Sequence, residues 1–296
     1  MAHIDRGILS PNEYKTPAMR LAYGFFLLLG VGLTLVMFYP FFWVLTGALK
    51  DSNEIFLIPP TFLPSNAHWD NFFRAFTYYE FPRMIWNTLV LFAGYFVSRV
   101  LVVTLAAYAL ARMKLPFRRG FYLLFLATLM LPTVAYLVPS YLVIQKLPFV
   151  DFGLLDSNWS IWLPAGADSF SLLLMKGFFD DIPRELSEAG RIDGASEGGI
   201  LVRIIVPLSK PILAVIAIFA FLTIWNDFFW QRLVLISPEN WTISVMLWFR
   251  STVVGATPPI NIQLAAMFLS ILPPMLLFLV SQKNITTGVS MTGIKG

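Results

Sequence analysis

No cysteine occurs in the 296 residues, which excludes disulfides, thiolate catalysis and cysteine-ligated metals. Histidine is nearly as scarce. His3 and His68 stand far apart, form no ligand set, and read as surface residues, so no metal site is expected. Charge is in short supply too: Asp, Glu, Lys and Arg make up 13% of the chain, about half the share of an ordinary soluble domain. No Gly-x4-Gly-Lys-Ser/Thr phosphate loop is present, so the chain has no nucleotide-hydrolysing motif of its own. What remains is apolar. Hydrophobic residues reach 57% and the mean hydropathy is +0.72, more apolar surface than a water-soluble fold can hide. The net charge of +4 forms no basic stripe with interleaved aromatics, so nucleic acid is not an expected partner.

A membrane-spanning helix needs about 20 predominantly apolar residues, and six segments qualify: roughly 21–49, 86–111, 119–145, 159–179, 207–236 and 261–282. The first is too long for a signal-peptide core and lacks a small-residue cleavage site, so it reads as an uncleaved span. Pro132 and Pro139 predict a kink in the third, and Pro164, Gly166 and Asp168 interrupt the fourth. With the N-terminus inside, fourteen basic residues fall on the inner side and six on the outer, which predicts that both termini are cytoplasmic. The expected organisation is a cytoplasmic arm at 1–20, a transmembrane domain at 21–285 with a cytoplasmic hairpin at about 180–206, and a cytoplasmic tail at 286–296. The outer segment 50–85, rich in proline and aromatics, reads as an ordered cap.

The inner connection is the informative one. Asp180-Asp181-Ile182-Pro183 begins a helix, Asp193-Gly194 stops it, and Ser196 can cap a second that runs into Pro207. Ile182, Leu186, Ala189 and Ile192 fall near helical spacing and predict one apolar stripe. Across 176–210 there are six acidic and five basic residues. The residues alone leave two readings open: a solvated amphipathic hairpin, or a knob that docks in a groove on a cytoplasmic partner. Helices this short are marginal in water without tertiary packing.

Glu188-Ala189, then three residues, Asp193-Gly194-Ala195, then eleven residues, Pro207-Leu208, resembles the coupling loop of permease subunits in bacterial ABC importers. Ile182-Pro183-x-Glu185-Leu186 and Pro211 fit the same pattern. Gly190 departs from it, standing where the family has a second alanine, at a cost of about 1 kcal/mol within a helix. Further matches narrow the resemblance to maltose-type sugar permeases: Asn87-Thr88-Leu89, Ala106-Ala107-Tyr108-Ala109-Leu110-Ala111-Arg112, Trp225-Asn226-Asp227-Phe228, and the closing Thr292-Gly293-Ile294-Lys295-Gly296.

The resemblance implies an all-α polytopic protein of about six transmembrane helices with the type I ABC importer permease fold, in the bacterial inner membrane. It would form half of a binding-protein-dependent translocation pathway for sugars or oligosaccharides. It implies two ATP-binding cassette subunits, with ATP and Mg held there, a second permease subunit and an extracytoplasmic solute-binding protein. It makes Glu188, Ala189, Asp193 and Gly194 the residues that couple to the ATPase.

Ionisable groups inside a membrane are functional candidates by default, and Arg99, Asp168 and Asp227 fall within the proposed spans. Pairing among themselves for structure is the alternative. Trp225, Asn226 and Asp227 combine an aromatic face with hydroxyl-seeking groups and are candidates for a substrate path. Successive helical residues point about 100° apart, so at most two of the three can face one cavity. An ion-coupled secondary transporter is the competing reading. It predicts several intramembrane carboxylates and paired repeats, where this chain has Asp168, Asp227 and no evident repeat.

Overall fold

The structure is a computed structural model that describes residues 17–253, 255 and 257–290, without the side chains of 18 and 283–290. His3 and the closing motif Thr292–Gly296 lie outside the described residues. The described chain is helical throughout its ordered elements, with no strand. Residues up to Arg74 with Pro259–Phe268 form one compact unit; Ala75–Pro258 with the residues from Leu269 on form a second.

In the first unit, α1 (Pro17–Ala48) is apolar all round and exposed throughout residues 25–42, the pattern of a helix whose solvent is lipid. The chain leaving it is ordered by buried polar groups. Lys50 donates to the Thr61 carbonyl, and Asn71 Nδ2 donates to the carbonyls of Ala48 (2.8 Å) and Lys50 (3.2 Å). Glu54 Oε1 accepts from Ser65 N–H (2.9 Å), Ser65 Oγ (3.0 Å) and Thr61 Oγ1 (3.1 Å). Burial works to raise the Glu54 pKa, but these donors and Lys50 outweigh it and hold the carboxyl below its usual range. The helix α2 (Asp70–Tyr78) follows.

The second unit is built around α3 (Phe81–Arg112). Its buried residues Met84, Thr88, Leu91, Tyr95, Arg99, Val103 and Ala107 recur every three or four positions, while Val97, Leu101 and Leu105 are exposed on its other side. After it come α4 (Arg118–Leu129), α5 (Leu137–Gln145), α6 (Trp159–Trp162), α7 (Ser169–Asp181), α8 (Arg184–Ile192), α9 (Glu197–Ile200) and α10 (Val206–Leu208). The series ends with α11 (Lys210–Asn226), α12 (Phe229–Val234), α13 (Ile243–Thr252) and α14 (Ile260–Ser290), of which the last begins in the first unit. The stripe of α3 packs most extensively on α7 and then on α11.

Three helices are long and apolar enough to cross a membrane unbroken, Met19–Ala48, Phe81–Arg112 and Ile260–Gln282, and two more spans arise if each bent pair counts as one. The predicted kink in the third segment is a break. Helices Arg118–Leu129 and Thr133–Gln145 meet at 101° around Pro132, whereas Pro139 sits in the first turn of α5, where its missing N–H costs nothing. The fourth segment is divided by a 3-10 turn at Pro164–Gly166, and the Asp168 carboxylate caps α7 by accepting from Ser171 N–H at 2.7 Å. The fifth ends at Asn226 rather than near 236, because Asp227 Oδ1 accepts from Trp230 N–H (3.1 Å) and turns the chain into α12.

Candidate functional site

At the end of α7, Ile182 and Pro183 are extended, and Pro183 stands at the N-cap of α8. Helix α8 stops at a Schellman motif. Ala195 N–H reaches the Gly190 carbonyl (2.9 Å), Gly194 N–H reaches that of Arg191 (3.1 Å), and Gly194 takes φ +81°, a conformation L side chains rarely adopt. Ser196 then caps the next helix, its Oγ accepting from Gly199 N–H at 3.2 Å. From Glu197 to Leu208 the chain is a continuous helix whose middle, Leu201–Ile205, is wound as a π-helix. It meets α11 at 77°, at Ser209.

This hairpin is not a free pair of marginal helices. Ile200, Leu201 and Ile205 are buried in one apolar cluster with Ala107 and Tyr108 of α3 and Phe179 of α7. The expected single apolar stripe divides. Ile182 enters that cluster, while Leu186, Ala189 and Ile192 face outward, Ile192 with 86% of its surface exposed. The buried face of α8 consists of Ser187 and Gly190 instead. The reason is close approach. A β-carbon on Gly190 would stand 3.1 Å from Ile204 Cδ1 and 3.2 Å from Ile200 Cγ1, so the larger side chains are turned outward. Gly190 therefore has a packing role that the pattern departure alone did not reveal.

Glu188, Ala189, Asp193 and Gly194 are all exposed on the hairpin. The structure adds residues to which sequence reasoning gave no role. Tyr108 Oη donates to Glu197 Oε2 at 2.6 Å, and Arg191 donates to Glu197 Oε1 at 2.7 Å. The hydrogen bond to Glu197 pushes the Arg191 guanidinium above its ordinary pKa. One turn beyond Tyr108, Arg112 donates to the carbonyls of Phe179 and Ile182. The available signals were two polar residues four apart at the C-terminal end of a span, and opposite charges flanking a turn.

Of the candidate path residues, Trp225 is buried, stacked on Phe221 at 5.2 Å, with Nε1 donating to the Ser270 carbonyl at 3.1 Å. Asn226 is exposed, its amide held by the Leu222 carbonyl at 2.9 Å. Asp227 is half-buried, and its carbonyl accepts from Ser244 Oγ at 2.9 Å. Trp225 thus points into the unit, away from the exposed Asn226, so the three do not share one face. Arg99 and Asp168 form an ion pair at 3.3 Å, and Arg99 also donates to Tyr95 Oη and, from Nε at 3.3 Å, to the Ala165 carbonyl.

Residues 100–290 match the family model described as the binding-protein-dependent transport system inner membrane component. The maltodextrin transport system permease protein MdxG of Bacillus subtilis is 33% identical over 271 residues, covering 89% of this chain and 93% of the relative. The sn-glycerol-3-phosphate transport system permease protein UgpE of Yersinia enterocolitica is 30% identical over 265 residues, covering 88% and 92%. Among solved structures, a bacterial ABC transporter involved in import of the acidic polysaccharide alginate superposes with a TM-score of 0.78. It is 22% identical and covers 90% of this chain and 98% of that one, a likeness of fold.

Proposed function

This chain belongs to the family of inner membrane components of binding-protein-dependent transport systems, and from that membership we propose that it forms half of an ATP-driven import path for sugars or oligosaccharides. The chain is a transport subunit. ATP and Mg are held by two cassette subunits, a second permease completes the path, and a solute-binding protein delivers substrate from outside. Both termini lie in the cytoplasm, as the fourteen-to-six charge bias favours.

The observation that carries this reading is the hairpin's inside-out face. An amphipathic helix normally buries its apolar side. Helix α8 buries Ser187 and Gly190 and presents Leu186, Ile192 and Glu188 to solvent, on a support anchored in the core. That is a preformed knob with an apolar centre and an acidic side, suited to a cleft on the ATPase. Glu188, Ala189, Asp193 and Gly194 are the coupling residues. Asn226 and Asp227 face the substrate path, and Trp225 behind them fixes their position through Phe221 and Ser270. The sugar class rests on the maltodextrin relative and on the hydroxyl-binding chemistry of Asn226 and Asp227.

The test is ATP hydrolysis by the complex reconstituted with its ATPase and binding-protein partners, comparing wild type with Glu188→Lys and Gly194→Asp. Stimulation by the binding protein is expected to collapse in both variants while all subunits still assemble. Uptake by this chain alone, driven by a proton or sodium gradient and indifferent to both substitutions, would overturn the reading.

A further inference from the structure

We propose that Tyr108 is the positioning residue through which the hairpin moves α3, acting by a hydrogen-bonded strut that runs from Tyr108 through Glu197 to Arg191. The inference rests on the reading of the hairpin as the coupling element and names the span that follows it.

The hairpin has two covalent exits, and each contains a joint. Toward α7 the chain passes through the extended pair Ile182-Pro183. Toward α11 it passes through the π-helical turn Leu201–Ile205 and the 77° break at Ser209. A π-turn interrupts the regular i→i−4 ladder and such turns lie frequently at functional sites, so with the extended pair on one side and the 77° break on the other neither exit is a straight continuous helix. Helix α3 is not directly joined to the hairpin, since α4 to α7 lie between them in the chain, yet it is the helix on which the unit is built. It follows the hairpin only through noncovalent contact.

Apolar packing of Ala107 and Tyr108 on Ile200 and Leu201 holds the two together, but the hydrophobic effect has no direction and does not by itself fix a rotation. The strut does. Tyr108 is 3% exposed, and its hydroxyl donates to a carboxylate at 2.6 Å, the short range of a charge-assisted bond. The same carboxylate takes Arg191 Nε on its other oxygen at 2.7 Å, with Arg191 Nη2 at 3.4 Å from Oε2. Arg191 lies in the last turn of α8, so one carboxylate joins the docking helix, the second helix of the hairpin and the span. Arg112 grips the end of α7 from the next turn of α3. A displacement of α8 is thereby converted into a displacement of the inner end of α3.

The experiment uses the absence of native cysteine. Met113→Cys, just past the end of α3, and Gly198→Cys, whose β-carbon meets nothing within 4 Å, carry a spin-label pair in the assembled complex, its other subunits cysteine-free. The distance distribution is measured in the resting and vanadate-trapped states. The expected result is one narrow distance, the same in both states, that broadens in Tyr108→Phe and in Glu197→Ala. The double variant should be no worse than either single, and binding-protein-stimulated hydrolysis should fall on the order of tenfold in each, the factor for losing one hydrogen bond to a charged group. The exchange Arg191→Glu with Glu197→Arg, which keeps a donor–acceptor chain to the Tyr108 hydroxyl, should restore the narrow distance. Distributions as narrow as wild type in both single variants, or an exchange that fails to restore them, would sink the strut. Because the resting-state distance is read within one chain and needs no hydrolysis, its outcome is separate from whether Glu188→Lys abolishes hydrolysis.

Discussion

At the scale of single residues, Asp156 organises a loop that the sequence did not single out. Its Oδ1 accepts from the N–H groups of Ile236 (2.9 Å) and Ser237 (2.8 Å) and from Asn240 Nδ2 (3.1 Å), and Ser237 Oγ donates to its Oδ2. Burial works to raise its pKa, but these donors outweigh burial and hold it below the usual carboxylate value of 3.8. A carboxyl whose folded pKa is depressed stabilises fully above its unfolded pKa, and that contribution is lost as pH falls through the folded one. Asp156→Asn is the informative change, because asparagine also tolerates the φ of +58° found there. Thermal midpoints followed by tryptophan fluorescence should be lower in the variant at pH 7. They should converge with wild type as pH drops below the carboxylate range, and a gap that persists in acid would show that Asp156 does not titrate as described. The same scale explains part of what was legible. Gly194 and Ser196 were readable as stop and cap because each acts through its own backbone neighbourhood. Gly190 was not, since its reason lies in Ile200 and Ile204 across the turn.

At the scale of elements, the limits of the sequence follow from what breaks a helix. Apolar length placed α1, α3 and α14 well, because a span hydrophobic on every side needs no partner to declare itself. One break made by side-chain capping was missed, at Asp227, whose hydrogen bond to Trp230 ends α11 ten residues early. Proline gave the direction of the error at Pro132 but not its size, since a kink and a 101° break share one cause. The broken fourth segment is held in place by Arg99, which reaches from α3 to Asp168 and to the Ala165 carbonyl freed by the turn at Pro164–Gly166. With 8% of its side chain exposed, Arg99 has little water to return to if its partner is removed. Asp168→Leu should therefore destabilise the unit by about 3 kcal/mol. Arg99→Leu combined with Asp168→Leu should recover much of that loss, because no unpaired charge remains. The check is detergent-solubilised thermal unfolding of the two variants. Equal losses in the single and the double would mean that the Asp168 cap of α7, which both variants lose, rather than charge pairing, accounts for the effect.

At the scale of the whole molecule, membrane residence was legible from composition and apolar length, whereas the transport reading came from the spacing of Glu188-Ala189, Asp193-Gly194 and Pro207-Leu208, whose resemblance to a permease coupling loop decided between two readings that the residues alone left open. The mechanical wiring was not legible, because Tyr108 and Glu197 are 89 residues apart and only folding brings them together. Topology offers the most direct whole-molecule prediction. If the charge bias sets orientation, the hairpin lies inside and the loop 146–153 lies outside. The chain has no cysteine, so a single introduced one reports its own side of the membrane. Ile192→Cys and Phe149→Cys suit this, as both side chains are almost fully exposed. In right-side-out vesicles a membrane-impermeant maleimide should label position 149 at once. It should label position 192 only after permeabilisation, and more slowly once the ATPase subunits are bound. Labelling of 192 from outside would invert the topology and remove the hairpin from the compartment where ATP is hydrolysed.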